Sequence, residues 1–290
     1  MDISIIITTY KEPRTIGKAI ESILHQKIVN KSIEIIVVAP DEETLSVARK
    51  YPKVRTIKDN AQGKSAALNL VVPKAKGKIL ILTDGDVYTS PNAIAELIKP
   101  FNNKKIGAVS GNVVSINSTN NKFGYWAYIL TNIANDIRLE KLNNSSKFFC
   151  TGYLFAIRKE LFPVLPINLL SEDGYISNHI YDSHKTIAYA QAAAVYVKYP
   201  DNFKVLIIQK KRSAGGYTQI KKLTGTGVRS FVLECIGVFK LFKYIHNSKE
   251  LYWFGLLIFA RLYLWFLIYR DVNVKNVSQK EIWKRVESTK

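Results

Sequence analysis

The sequence predicts an α/β fold on a largely parallel sheet, followed by apolar C-terminal helices, and three observations carry that expectation. Short β-branched runs alternate with segments of helical period through the first hundred residues, those runs are apolar at nearly every position, and the last third contains long apolar stretches with few charges. Strands covered by crossover helices on both faces need apolar side chains on both faces, so the second observation selects a parallel sheet. With 290 residues and 47% apolar side chains, the chain has ample material for a packed core.

Ile3–Ile7 reads as the first strand, and Thr15–Gln26 as a helix whose Ile16, Ile20, Ile23 and Leu24 share one stripe. The unit repeats at Ile33–Val38 with Glu42–Tyr51, at Val54–Ile57 with Lys64–Val72, and at Ile79–Thr83 with Pro91–Phe101. Ser90-Pro91 reads as the N-cap and first-turn proline of the fourth helix. That leaves Asp84-Gly85-Asp86 in the loop at a strand's C-terminal end, the edge at which open α/β sheets bind ligands. From about residue 106 the pattern loosens, with strands expected at Ala108–Ile116, Tyr153–Ile157 and Ile187–Val197 and a long helix through Trp126–Leu142.

Composition shifts after Leu223. Val228–Ile245 is apolar with basic punctuation, and Leu251–Tyr269 contains Arg261 as its only charge. The second stretch is long enough to cross a bilayer, which takes about 20 residues, but an arginine near its middle costs about 2.5–3.5 kcal/mol on an insertion scale. A spanning helix, an interfacial helix and a buried soluble helix all remain open. The net charge of +19 suits nucleic acid, anionic lipid or a phosphorylated ligand. Lys221, Lys222, Arg229, Lys240 and Lys243, with Trp253 and Trp265, favour an anionic membrane surface. Basic residues are not interleaved with aromatics along one strand set, so nucleic acid is not expected.

Cys150 and Cys235 lie far apart without metal-ligand spacing, and the four histidines share none, so no zinc site or disulfide framework is expected and a reducing, cytosolic setting fits. Met1-Asp2 runs directly into a short apolar strand, which reads as structure rather than a secretory leader.

Two local patterns point to chemistry. Asp84 and Asp86 flank a glycine at a strand end, where two carboxylates can hold a divalent cation, or where Asp84 simply caps a turn. Gly63-Lys64-Ser65 resembles part of a phosphate-binding loop, but the glycine required five residues before Gly63 is replaced by Lys58, which rejects that motif. A lysine at a loop-to-helix junction remains, favourable for phosphate or else a solvated surface residue.

Taken in order, Ile5-Ile6-Ile7-Thr8-Thr9-Tyr10-Lys11-Glu12, Gly63-Lys64-Ser65-Ala66-Ala67-Leu68-Asn69, Asp84-Gly85-Asp86, Ser171-Glu172-Asp173 and Gln209-Lys210-Lys211-Arg212 resemble the motifs of family 2 glycosyltransferases. The resemblance covers about residues 2–215 and implies the GT-A fold, a Rossmann-like mixed sheet flanked by helices. It implies inverting transfer from a nucleotide sugar, expected to be a UDP- or GDP-sugar, with Mg²⁺ or Mn²⁺. A phosphate acceptor would need no base and a hydroxyl would, and the basic apolar tail would bring the site to a lipid, so the expected acceptor is a hydroxyl of a glycan or lipid-linked saccharide. By that likeness Thr8, Tyr10 and Glu12 line the nucleoside pocket, Lys64 and Asn69 the nucleotide side, and Asp86 with Asp84 the metal and diphosphate. Asp173 is the implied base. Glu172 beside it raises the pair's proton affinity by like-charge repulsion, unless both acids merely favour a helix N-terminus capped by Ser171. Gln209 and Arg212 contact diphosphate or acceptor, or else form an exposed polar face.

The pattern departs from the family at two places. The family usually ends its second strand with an acid, whereas here Val37-Val38 is followed by Ala39-Pro40-Asp41, so Asp41 either takes the base-contacting role from a shifted position or caps the helix at Glu42. Ser213 stands where processive members commonly carry tryptophan, which weakens a processive reading. The expected organisation is a catalytic domain over 1–215, with a nucleotide-sugar half to 105 and an acceptor half from 106, then a membrane-associated tail over 216–290 at a cytoplasmic membrane face. A nucleotidyltransferase of the same fold and a non-catalytic membrane-binding module are the rival readings. The first normally needs a glycine-rich N-terminal loop, and Thr8–Arg14 contains no glycine.

Overall fold

A computed structural model describes residues 1–28, 31–225 and 237–270. Arg229, Cys235 and the first half of the expected Val228–Ile245 stretch lie outside the described residues.

The βα repeats form as expected: β1 (Ile3–Thr8), α1 (Ile16–Leu24), β2 (Ile33–Ala39), α2 (Glu42–Ala48), β3 (Val54–Lys58), α3 (Lys64–Val71) and β4 (Ile79–Asp84). After them come β5 (Tyr88–Thr89), α4 (Ala93–Ile98), β6 (Ile106–Ser115), α5 (Lys122–Asn143), β7 (Leu154–Arg158), α6 (Glu172–Asp182), β8 (Thr186–Val197), α7 (Phe203–Thr224) and α8 (Ser248–Tyr269). The strands form one sheet in the order β3-β2-β1-β4-β7-β6-β8-β5. The first four are parallel, whereas β7 runs antiparallel to both β4 and β6, which makes the sheet mixed.

Period-two alternation explains why the strands are apolar throughout. Ile3, Ile5, Ile7, Ile35 and Val37 enter one core beneath α1 and α2, while Ile6, Ile36, Val38, Leu80 and Leu82 enter a second core beneath α3 and α6. Each fully buried isoleucine contributes about 1.5–3 kcal/mol, so neither face can be exposed cheaply. Gly77 marks a close backbone approach, since a Cβ there would sit 2.3 Å from the Ser4 amide nitrogen.

The fourth helix starts later than expected. Ala93 begins it, and Asn92 precedes it with φ at 105°, while the Ser90 amide donates to Ala194 in the sheet. The Ser90 hydroxyl is also turned to β8, donating to the Ala192 carbonyl at 3.5 Å rather than capping the helix. The 1–105 and 106–215 segments share the sheet, and residue 215 falls inside α7, which ends at Gly225 in a left-handed conformation.

A third core fixes α8 to the domain. Trp126 donates its indole N–H to the Trp253 carbonyl at 2.7 Å, Tyr125 donates to the Tyr244 carbonyl at 3.0 Å, and Ile129, Phe254 and Leu257 fill the space between. The α5 aromatics thus anchor the tail. The opposite face of α8 leaves Tyr252, Phe259, Tyr263 and Phe266 exposed, and α8 is the one helix among the described residues long and apolar enough to cross a membrane.

Candidate active site

The C-terminal ends of β1, β2, β3 and β4 meet at one rim because the strands are parallel and in register, Thr8 lying opposite both Val38 and Asp84. Above that rim opens a cavity of about 1380 Å³. Thr8, Tyr10, Glu12, Lys64, Asp84, Asp86, Glu172, Asp173, Gln209 and Arg212 all line it, although five separate segments supply them.

The loop after β1 is tightly held. Thr9 donates to Glu12 Oε2 at 2.7 Å, and the Glu12 amide donates to Thr44 Oγ1 at 2.8 Å, leaving Glu12 6% exposed. Lys11 takes φ of 53°, a strained conformation for a side-chain-bearing residue, and its amide donates to Asp41 Oδ2 at 2.7 Å. The other Asp41 oxygen accepts from the Thr44 amide at 3.0 Å and from its hydroxyl at 2.5 Å. Burial alone would push this carboxyl up, but the Thr44 and Lys11 donors hold it below its usual range. Asp41 therefore caps α2 and does not line the cavity.

At the end of β4, Asp84 Oδ1 accepts from Thr8 Oγ1 at 3.1 Å and pairs with Lys64 Nζ at 2.5 Å. Lys64 also reaches the Gly152 carbonyl at 3.4 Å. Burial draws the Lys64 pKa down, but Asp84 and then Glu172 outweigh it, so the ammonium is held charged. Gly85 is dictated by close approach: a Cβ would lie 2.5 Å from Thr9 Oγ1 and 2.7 Å from Glu12 Oε2.

Glu172 and Asp173 open α6 on the far side of Lys64. Ser171 makes no side-chain cap bond and instead donates to Asp173 Oδ1 at 2.6 Å. Glu172 accepts from Ser65 at 3.3 Å, and its carboxyl is raised chiefly by burial; Lys64 opposes this, and repulsion from Asp173 adds a smaller push. Burial rather than the neighbouring acid is thus the main cause, and the effect falls on Glu172.

Asn69 stands apart. Its amide donates to the Leu165 carbonyl at 2.8 Å and accepts from the Leu165 amide at 2.9 Å, so both its polar groups hold the 162–170 loop, and it does not line the cavity. Gln209 Oε1 is buried with no hydrogen-bond partner among the described residues, an acceptor that a bound ligand can satisfy. Two further cavity residues went unnoticed in the sequence. Asp59, 9% exposed, follows β3 at the rim, and burial raises its carboxyl although the Ala61 amide donates to it at 2.7 Å. Tyr153 lies within electrostatic reach of Asp86 and Arg212, and burial pushes its hydroxyl well above the ordinary value. An acid just past a strand end was the available signal for Asp59; no sequence signal marks Tyr153.

The family described as glycosyl transferase family 2 matches residues 4–165, more than half of the chain. The chain belongs to glycosyl transferase family 2. Among curated relatives, it is 26% identical over 117 residues to a β-monoglucosyldiacylglycerol synthase of Nostoc sp. (strain PCC 7120), and 25% identical over 116 residues to one of Trichormus variabilis. Each match covers 37% of this chain, and the chain spans about a quarter of those relatives' length, 25%. Among solved structures, a mannosyltransferase from Pyrobaculum calidifontis in complex with GDP-Man and Mn²⁺ superposes with a TM-score of 0.60 at 18% identity, covering 97% of this chain and 82% of its own. GalNAc-T7 with UDP, GalNAc and Mn²⁺ gives 0.54 at 15% identity, covering 78% and 55%. These structures establish the GT-A fold.

A family 2 glycosyltransferase draws on a nucleotide sugar, and the rim suits a divalent cation bridging protein to diphosphate. Mg²⁺ commonly takes one or two carboxylates with phosphate oxygens and water. Asp84 and Asp86, which both line the cavity at the rim, are the residues that could hold such a cation. The raised Glu172 carboxyl has a stability consequence. Its folded pKa exceeds the unfolded 4.5, so its favourable contribution is complete below about 4.5 and disappears as pH rises through the folded value. Glu172→Gln is therefore expected to melt higher than the wild type at neutral pH, with the gain vanishing towards pH 4; equal melting curves across that range would refute the burial effect.

Proposed function

We propose that the chain is a metal-dependent, inverting glycosyltransferase that moves a sugar from a UDP- or GDP-sugar to a hydroxyl of a lipid-linked acceptor at the cytoplasmic face of a membrane. The carrying observation is that the acidic rim pair Asp84 and Asp86 and the acidic helix start Glu172 and Asp173 open into the same cavity.

In this reading Thr8, Tyr10 and Glu12 receive the nucleoside, with Asp59 beside them. Lys64, held charged by Asp84, lies where a diphosphate would enter, and Gln209 and Arg212 complete its far side. Asp84 and Asp86 would hold the divalent cation, whose charge would offset that developing on the departing diphosphate. Asp173, steadied by Ser171, takes the proton from the acceptor hydroxyl as it attacks the anomeric carbon opposite the leaving group. Glu172 lines the cavity beside Asp173, facing Lys64.

The lipid side rests on α8. Its inner face is docked on α5 while its outer face shows aromatic and aliphatic side chains, an arrangement suited to lying in a membrane interface. The glycolipid synthase relatives support a lipid acceptor. Domain limits of 1–215 and 216–290 fit this reading only with α7 as the joint.

The test is a panel of UDP- and GDP-sugars incubated with the full chain and lipid vesicles. Expected is release of UDP or GDP with Mg²⁺ or Mn²⁺, abolished by a chelator. Release of pyrophosphate would instead mark a nucleotidyltransferase, and vesicle binding with no turnover a non-catalytic module.

A further inference from the structure

Tyr153 belongs to none of the sequence motifs, yet the sheet carries it to the rim. The β4–β7 register ends with Thr83 opposite Leu154, so the next residues along the two strands, Asp84 and Tyr153, are neighbours. Thr83 Oγ1 donates to the Tyr153 carbonyl at 2.8 Å, which ties down the main chain there. The preceding residue lies against the base: a Cβ on Gly152 would sit 3.3 Å from Asp173 Oδ2. Lys64 Nζ reaches the Gly152 carbonyl at 3.4 Å.

The two ends of the Tyr153 side chain have different surroundings. Its ring packs against the core beneath α1 and α2, which holds the phenol in place. Its hydroxyl makes no hydrogen bond among the described residues, although Asp84, Asp86 and Arg212 all lie within electrostatic reach. Tyr153 lines the cavity, and so does Arg212, which enters no ion pair among the described residues. A phenol titrates at about pH 10, so at neutral pH it carries its proton and can donate. A donor left without an acceptor at the wall of a cavity is satisfied by what the cavity binds.

Position selects the acceptor. Thr8, Tyr10 and Glu12, assigned to the nucleoside, follow β1, whereas Tyr153 stands beside Asp84 and one residue from the Gly152 contact with Asp173. A phosphate at that point is the one farther from the nucleoside, to which the sugar is attached. We propose that the Tyr153 hydroxyl is a catalytic hydrogen-bond donor to the distal phosphate of the leaving nucleoside diphosphate, acting between Lys64 and Arg212. This deepens the transferase reading, on which it rests, by adding a group that acts on the leaving side. As the bond between the anomeric carbon and the distal phosphate oxygen breaks, its electron pair stays on that oxygen. The acceptor oxygen forms the new bond and loses its proton to Asp173. Tyr153 transfers no proton, and its hydrogen bond strengthens as charge develops on the phosphate.

The test uses the full chain with Mg²⁺ and measures equilibrium binding of UDP and GDP against UMP and GMP, together with steady-state release of the diphosphate. A free nucleoside diphosphate carries the charge that the leaving group develops, so its affinity reads the contact without turnover. Tyr153→Phe is expected to weaken the diphosphate by about ten- to a hundredfold, the range of one hydrogen bond to a charged group, while the monophosphate stays within about twofold. The kcat for UDP or GDP release should fall by at least about tenfold, with donor KM changed less. Phenylalanine keeps the ring against the core and the hydroxyl has no partner to lose, so the melting temperature without nucleotide is expected to stay unchanged. A marked drop would assign the hydroxyl to the fold and overturn the proposal. So would an unchanged diphosphate preference in a variant that melts like the wild type. A wild type that binds neither UDP nor GDP would bring down the donor-site reading as well, a result distinct from a variant that matches the wild type.

Discussion

Replacing Asp86 by Ala is expected to lower kcat for nucleoside diphosphate release by about two to three orders of magnitude, the loss that follows removal of one electrostatic stabiliser of a leaving group. The loop offers little compensation. Asp84 is already engaged by Lys64 and Thr8 through Oδ1, so it cannot take over both positions without giving up the lysine. Gly85 cannot be recruited either, as any side chain there would strike Thr9 and Glu12. The measurement is steady-state release of UDP or GDP at saturating donor and metal, with a thermal melt to show that the fold persists. A variant turning over at the wild-type rate would remove the rim pair from the reaction.

Asp173→Asn is expected to lower transfer to acceptor by about 10²–10⁴-fold, the usual contribution of a general base, with donor affinity unchanged. Asparagine keeps the size and accepts from Ser171 as aspartate does, so α6 should start unaltered. The split between kcat and donor KM separates this role from a structural one. Glu172→Gln provides the contrast: in this reading the acid beside Asp173 takes no proton from the acceptor, and its replacement should cost far less in rate. If the two substitutions prove interchangeable in effect, the assignment of the base to residue 173 fails.

Much of the frame was legible because it depends on local pattern. Ile3, Ile5 and Ile7 on one face and Ile6 on the other announce a strand buried twice, and β1 to β4 appear where those runs predicted them. Asp84-Gly85-Asp86 could be put at a sheet edge from strand length alone. Asp41 could not be resolved, because a strand-end acid and a helix N-cap look alike until Thr44 and Lys11 are seen to claim both oxygens. Asn69 is another such case: its motif position is a family matter, but its hydrogen bonds go to Leu165, which lies 96 residues away. The start of α4 shifted for a similar reason, since pairing with β8 engages Ser90.

By itself, the order of residues determined the α/β class, the rim acids, the family and the apolar character of 251–269, all of which follow from periodicity and short motifs. Only the tertiary structure decided that β7 inserts antiparallel beside β4, bringing Tyr153 to the rim, and that α8 docks on α5 through Trp126 and Tyr125. Those outcomes depend on which apolar faces cover one another, a property of contacts between segments a hundred residues apart. Local periodicity shows that a face will be buried, and it carries no information about the partner.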